Sequence, residues 1–337
     1  MKSTEAASSR AELRRATRLL WRLIVGLAFG LGLLVFVARG VDLEAVWTGF
    51  LGADSFFVGL AFLTVLATMA TKVGRWYALF PRGEHPSLPA LTRALLVGQL
   101  ANALLPARVG EVARAYLIGY EGEGSSAITL GTVAAEKAFD VFFLLLSSGL
   151  VAFTLSLPSW MTLSLGGLAA VGTAVLLAAV ALPRQRIVVW ADRWAGRVGW
   201  VGIDRLLGIL QRGLVGLEVL RTPRQALIAC VWSAVVWTLA ASTNGLLFLA
   251  FHLHLSWTAA LWLLVLLHVG VAPPSSPGRL GVFHALTVWG LATFGVDRSI
   301  GLAYAAVLHA LVYLPQVTLG GVALVCSQGR LRWHILS

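Results

Sequence analysis

Leu104-Leu105-Pro106-Ala107-Arg108-Val109-Gly110-Glu111 sets an arginine and a carboxylate beside a helix breaker within otherwise apolar sequence. Far downstream, Pro277-Gly278-Arg279-Leu280-Gly281 repeats the order of Pro106 to Gly110: proline, small residue, arginine, branched apolar residue, glycine. Proline removes a backbone donor and glycine permits positive φ. Each copy is therefore expected to interrupt a helix and leave backbone groups free beside an arginine. Broken helices at corresponding places in two halves of a membrane chain point to a transport site.

The surrounding composition calls for a membrane. Hydrophobic residues make up 58% and charged residues 12% of the 337, with a mean hydropathy of +0.83. That leaves too little polar surface to coat a water-soluble globule. The net charge of +11 is not a nucleic-acid footprint, because the basic residues lie between apolar spans rather than in a basic soluble domain. Cys230 and Cys326 both fall in apolar sequence, so no disulfide framework or cysteine metal site is indicated.

Outward from the two breaks, apolar spans read as Leu19 to Ala38, Ser55 to Thr71, Phe139 to Leu157, Trp160 to Leu182, Ala226 to Phe251 and Ile300 to Cys326. These are about six full crossings. Leu88 to Leu117 and Thr258 to Phe294 are the two broken regions, each a re-entrant hairpin or a pair of short spans. Lysine and arginine gather in residues 1–22, 72–93, 183–224 and after Cys326, whereas Arg39 and Arg298 face the other side. Both termini are thus expected to be cytoplasmic, in a cytoplasmic (inner) membrane.

The expected fold is an all-α polytopic membrane protein with an inverted-topology repeat. Residues 1–18 form a basic cytoplasmic N-terminus, 19–326 a single membrane domain and 327–337 a cytoplasmic tail. The repeat units run from about 55 to 157 and from about 226 to 326. Arg10, Arg14, Arg18 and Arg22 form one helical stripe of anchors. Residues 183–224 combine arginines, tryptophans and a leucine periodicity that predicts an amphipathic helix on the cytoplasmic leaflet.

Chemistry is sought among ionisable groups at membrane depth, where charge is costly. Arg108, Glu111 and Arg114 follow the first break at helical spacing, and Glu136 and Asp140 share one face of the next span, with Lys137 turned aside. One reading pairs Arg108 and Arg114 with Glu136 and Asp140 as a structural network. The other has Arg108 and Arg279, one from each half, receive an anionic headgroup, with the carboxylates as counter-ions or a proton relay. His268, His284 and His309 lie in apolar sequence and read as packing residues, and His252 and His254 as a loop. No metal-ligand spacing, nucleotide loop or catalytic motif stands out, so neither a cofactor, a metal nor enzymatic activity is expected.

Asn102 to Glu111 with Arg114, then Glu136 and Asp140, and later Pro273-Pro274-Ser275-Ser276-Pro277-Gly278-Arg279-Leu280-Gly281-Val282-Phe283, resemble the flippase-like membrane domain family. It includes the membrane-embedded part of bacterial lysylphosphatidylglycerol synthases and related free-standing proteins. The resemblance covers roughly residues 20 to 326. It implies lipid handling, with Asn102, Pro106, Arg108, Gly110, Glu111, Arg114, Glu136, Asp140, Pro277, Gly278 and Gly281 as the shared core. The eleven residues after Cys326 leave no room for the synthases' soluble aminoacyl-transferase domain, so lysyl-lipid synthesis by this chain alone is not expected.

The expected function is movement of an anionic phospholipid or polyprenyl-phosphate-linked lipid across the membrane by alternating access. The substrate-binding set is Asn102, Arg108, Glu111, Arg114, Glu136, Asp140 and Arg279; Pro106, Gly110, Pro277, Gly278 and Gly281 are the helix breaks. Two alternatives stay open: a membrane subunit presenting lipid to a separate soluble transferase, and an intramembrane lipid-modifying enzyme with Glu136 or Asp140 as general base.

Overall fold

The computed structural model describes residues 28–39, 41–105, 109–155, 222–271 and 276–336, with isolated helical positions between 159 and 170. Residues 1–27, the arginine stripe, Pro106, Ala107, Arg108, Pro273 to Ser275, most of the Trp160 to Leu182 span and nearly all of 183–224 lie outside the described residues.

Every regular element among the described residues is helical. These are α1 (Ala28–Ala38), α2 (Leu43–Leu51), α3 (Ser55–Ala78), α4 (Leu88–Leu104), α5 (Gly110–Tyr120) and α6 (Ser126–Thr154). After the undescribed segment come α7 (Pro223–Ala250), α8 (Trp257–Gly270), a 3-10 turn (Pro277–Arg279), α9 (Val282–Ala292) and α10 (Arg298–Leu336). The starts follow local chemistry. Asp42, Asp54, Ser87 and Ser256 accept backbone N–H bonds at the starts of α2, α3, α4 and α8. Asp297 accepts from Ser299 N at 2.8 Å before α10, and those hydrogen bonds hold its carboxyl below the usual range.

Among the described residues, four helices are long and apolar enough to cross a membrane: α3, α6, α7 and the Arg298–Ser327 part of α10. Between them lie two pairs of shorter helices. The first pair has 17 and 11 residues; the second has 14 and 11. At 1.5 Å per residue these helices reach about 16 to 25 Å, short of a hydrocarbon core of about 30 Å. The order long, short, short, long thus occurs twice. In the first pair the entry and exit meet: Arg93 near the start of α4 pairs with Glu121 just past α5 at 2.6 Å, and Ser87 N and Oγ both donate to Glu123 at 2.9 and 3.0 Å.

α3 and α7 run antiparallel side by side. Asp54 N–H donates to Ala250 O at 2.8 Å, Thr64 and Thr243 hydroxyls meet at 2.9 Å, and Gly74 lies against the Trp232 ring. α4 packs on α10 and α8 packs on α6, so each half's first short helix rests on the other half's last long one. The main apolar core, with Leu247, Phe248, Leu263, Phe283, Tyr304 and Leu308, joins the second half to α3.

Two readings of the breaks change. Gly110 does not adopt positive φ; it is buried at the start of α5, where a Cβ would meet the Gly98 carbonyl and the Asn102 side chain. It serves close approach of two backbones. At the second break Gly278 (φ +63) and Gly281 (φ +81) are left-handed as expected, and so is Arg279 (φ +55). A Cβ on Gly281 would collide with the Gly30 backbone, which seats α1 on this break. α3 also outruns its expected end at Thr71, because apolar sequence resumes at Trp76 and both Arg75 and Trp76 are buried. Lys72 and Arg75 are therefore helix residues, not loop anchors.

Gly110→Ala is expected to lower the stability of the detergent-solubilised protein by about 2 kcal/mol through overpacking. Gly124→Ala, whose added Cβ meets ordinary van der Waals contacts, should leave the melting curve unchanged.

Candidate functional site

Arg75, from the last turns of α3, is 1% exposed. Its Nη2 lies 2.7 Å from Glu136 Oε1 and its Nη1 2.7 Å from Asp140 Oδ1, so both carboxylates of one α6 face grip a single guanidinium. Glu136 holds a second one: its Oε2 accepts from Arg114 Nη1 at 2.9 Å. The Arg114 guanidinium also lies over the Trp76 ring at 4.8 Å, and Trp76 Nε1 donates to Thr132 Oγ1 at 3.0 Å. Lys137 is not turned away. Its Nζ stands 3.5 Å from Glu111 Oε1 and 3.6 Å from Asp140 Oδ2. Charges of α3, α5 and α6 thus form one network. Arg114 pairs with Glu136 as the structural reading has it, but the partner of Asp140 is Arg75.

Asn102 at the end of α4 caps the start of α5. Gly110 N–H donates to its Oδ1 at 2.8 Å, while the N-cap residue Val109 offers no side-chain bond. The free N-terminus created by the break is partly satisfied from within the hairpin.

Beside this network lies a cavity of about 300 Å³. Its wall takes Lys72 and Arg75 from α3, Gln99 and Asn102 from α4, and Glu136, Lys137 and Asp140 from α6. The second half contributes Trp237 and Asn244 of α7, His268 of α8, Arg279 of the turn, and Tyr313 and Gln316 of α10. Lining residues fall near the middle of α6, α7 and α10, so the cavity sits at mid-height between the two short-helix pairs. Lys72 and Arg279 have no carboxylate within ion-pair distance among the described residues.

Of the residues expected at the site, Asn102, Glu136, Asp140 and Arg279 share this cavity. Glu111 and Arg114 stand behind it in the network, and Arg108 is outside the described residues. Of the histidines, His268 Nδ1 lies 2.9 Å from Leu264 O. His309 Nε2 lies 2.8 Å from Gly278 O and its ring stacks on Tyr313 at 4.3 Å. His284 packs 5.0 Å from the His309 ring, but its buried Nδ1 has no hydrogen-bond partner among the described residues. Sequence reasoning missed Lys72 and Arg75. The signal was the apolar run resuming at Trp76, which puts Val65, Thr68, Lys72 and Arg75 on one stripe of an unbroken helix.

The sequence pattern of the lysylphosphatidylglycerol synthase TM region matches residues 23–320. The chain belongs to that family. The synthase TM-region family relates to membrane lipid handling, and the long apolar helices here place the chain in a membrane. No curated protein and no solved structure matches it.

Arg75→Met leaves buried Glu136 to Arg114 alone and half-buried Asp140 to Lys137 alone, and is expected to cost about 3 kcal/mol, read as a lowered thermal transition in detergent. Arg75→Met with Asp140→Asn, which keeps the Arg114–Glu136 pair, should recover part of that loss.

Proposed function

We propose that this chain moves an anionic lipid across the cytoplasmic membrane, with both termini inside, by alternating access of two inverted halves. The carrying observation is the cavity: it lies at mid-height between two broken helix pairs and holds two cations that have no carboxylate at ion-pair distance among the described residues. Mid-bilayer sites at the interface of repeats are where such transporters bind. The antiparallel α3 and α7 and the reciprocal packing of α4 on α10 and α8 on α6 support an inverted repeat. The short lengths of α4, α5, α8 and α9, with the Arg93–Glu121 closure, favour re-entrant hairpins over full crossings.

The alternative of an intramembrane enzyme is weaker. Glu136 is shared by two guanidiniums, and Asp140 by a guanidinium and an ammonium. Carboxylates so held have their oxygens engaged by cations and are poorly placed to take a proton from a substrate. The family name, lysylphosphatidylglycerol synthase TM region, points to a phospholipid, and a phosphate fits the cation excess of the cavity.

The test is exchange of a fluorescent anionic phospholipid between leaflets of reconstituted vesicles, read by an impermeant quencher. Wild-type protein should raise the rate well above protein-free vesicles. Ala240→Trp, which fills the cavity from α7, should return it to the protein-free rate while eluting as folded protein. Exchange by wild type no faster than in empty vesicles, across several anionic lipids, overturns the proposal.

A further inference from the structure

We infer that Lys72 and Arg279 form the seat for a phosphate group, one cation from each half, and that the seat selects lipids of net negative charge over zwitterionic ones. The inference rests on the reading of the central cavity as a headgroup site and assigns its chemistry.

Four cationic and two carboxylate side chains line the cavity. Both carboxylates are committed: Glu136 to Arg75 and Arg114, Asp140 to Arg75 and Lys137. Arg75 is committed in turn, and the Lys137 ammonium is divided between Asp140 and Glu111. Lys72 and Arg279 are left. They belong to one site, since both line the same cavity, one from each half. Lys72 lines the cavity beside Arg75 and Lys137, whose carboxylate partners are already engaged, so an anion placed beside it gains attraction.

The backbone strengthens the assignment of Arg279. A non-glycine residue at φ +55 holds an unfavourable conformation, and such strain gathers at ligand sites. His309 fixes the neighbouring Gly278 carbonyl, and the Ser276 hydroxyl donates to Leu280 O at 2.6 Å. The turn is therefore locked on both sides of the arginine.

The cavity offers nothing comparable to a positively charged headgroup. A quaternary ammonium needs a free carboxylate or an open aromatic face. Trp237 is already covered by His268 at 4.9 Å and Phe143 at 6.4 Å, and Tyr313 by His309 at 4.3 Å. The volume of about 300 Å³ is at the lower end for small-ligand sites, enough for a headgroup while acyl chains stay in the bilayer.

The experiment is calorimetric titration of the full chain in neutral detergent with dioctanoyl phosphatidic acid, dioctanoyl phosphatidylcholine and inorganic phosphate. Phosphatidic acid should bind at least about tenfold more tightly than either, the scale of one charge-assisted contact. Lys72→Gln and Arg279→Gln should each weaken it about tenfold and leave phosphatidylcholine unchanged. Lys72→Arg and Arg279→Lys should restore binding, and the exposed Arg298→Gln should match wild type. Should Arg279→Gln fail to fold, Lys72→Gln decides. Equal affinity for the two lipids, or neutral variants that bind like wild type, overturns the seat. Inorganic phosphate binding as tightly as phosphatidic acid assigns the pair to a free anion and overturns its lipid assignment. Charge-dependent lipid binding without leaflet exchange upholds the seat and sinks the transport reading; exchange indifferent to both cations does the reverse.

Discussion

A guanidinium buried on α3 sets the arrangement of the first half. Arg75 sits where water is excluded, and an unpaired charge there would cost several kcal/mol. Two carboxylates answer it, and they do so because Glu136 and Asp140 are one helical turn apart and present one face. The pairing fixes both the rotation and the height of α6 against α3. Each carboxylate then has capacity left. Glu136 reaches Arg114 and Asp140 reaches Lys137, whose ammonium also meets Glu111, so α5 is drawn into the same lattice. Desolvation offsets much of the attraction in such a network. Its main effect is geometric: it dictates which faces meet.

The second half reaches a similar shape by other means. Among the described residues no carboxylate pairs at its break. Backbone conformation does the work instead, through left-handed Gly278, Arg279 and Gly281, the His309 contact to a carbonyl and the glycine-to-glycine approach of Gly30. One half therefore spends its ionic groups on structure, and the other leaves its arginine uncommitted. That difference goes with a cavity wall that is net negative along α6 and basic on α3 and at the second turn.

How much of this was legible depended on how local each signal was. The breaks follow from proline and glycine chemistry within a few residues. The pairing of Glu136 with Asp140 on one face follows from spacing alone. Long apolar helices follow from composition, although α3 runs past the first charge because Trp76, Leu79 and Phe80 bury together beyond it. What sequence could not give was the partner of Asp140. Arg75 and Asp140 are far apart in the chain, and nothing local distinguishes a lysine or arginine that will be buried from one that will anchor a loop. The role of Gly110 was misread for a similar reason. A glycine needed for close approach to a distant backbone looks the same in sequence as one needed for positive φ.

The same limit bears on the two-arginine idea, which placed one arginine from each break at the headgroup. Arg279 lines the cavity and Arg108 lies outside the described residues; among the described residues, the first-half cation in the cavity wall with no carboxylate at ion-pair distance is Lys72. A lysine in that role changes the recognition chemistry. A guanidinium presents a planar fork, whereas an ammonium is a compact, strongly hydrated point charge on a flexible stem. A phosphate between them would have its orientation fixed by the arginine, which the strained turn holds rigid, while the lysine adjusts to reach a remaining oxygen. Such a pair reads charge and the tetrahedral phosphate and is indifferent to what hangs beyond it. A chain built this way discriminates by net charge, and finer choice among anionic lipids has to come from the polar side chains of Asn102, Gln99 and Gln316 around the same cavity.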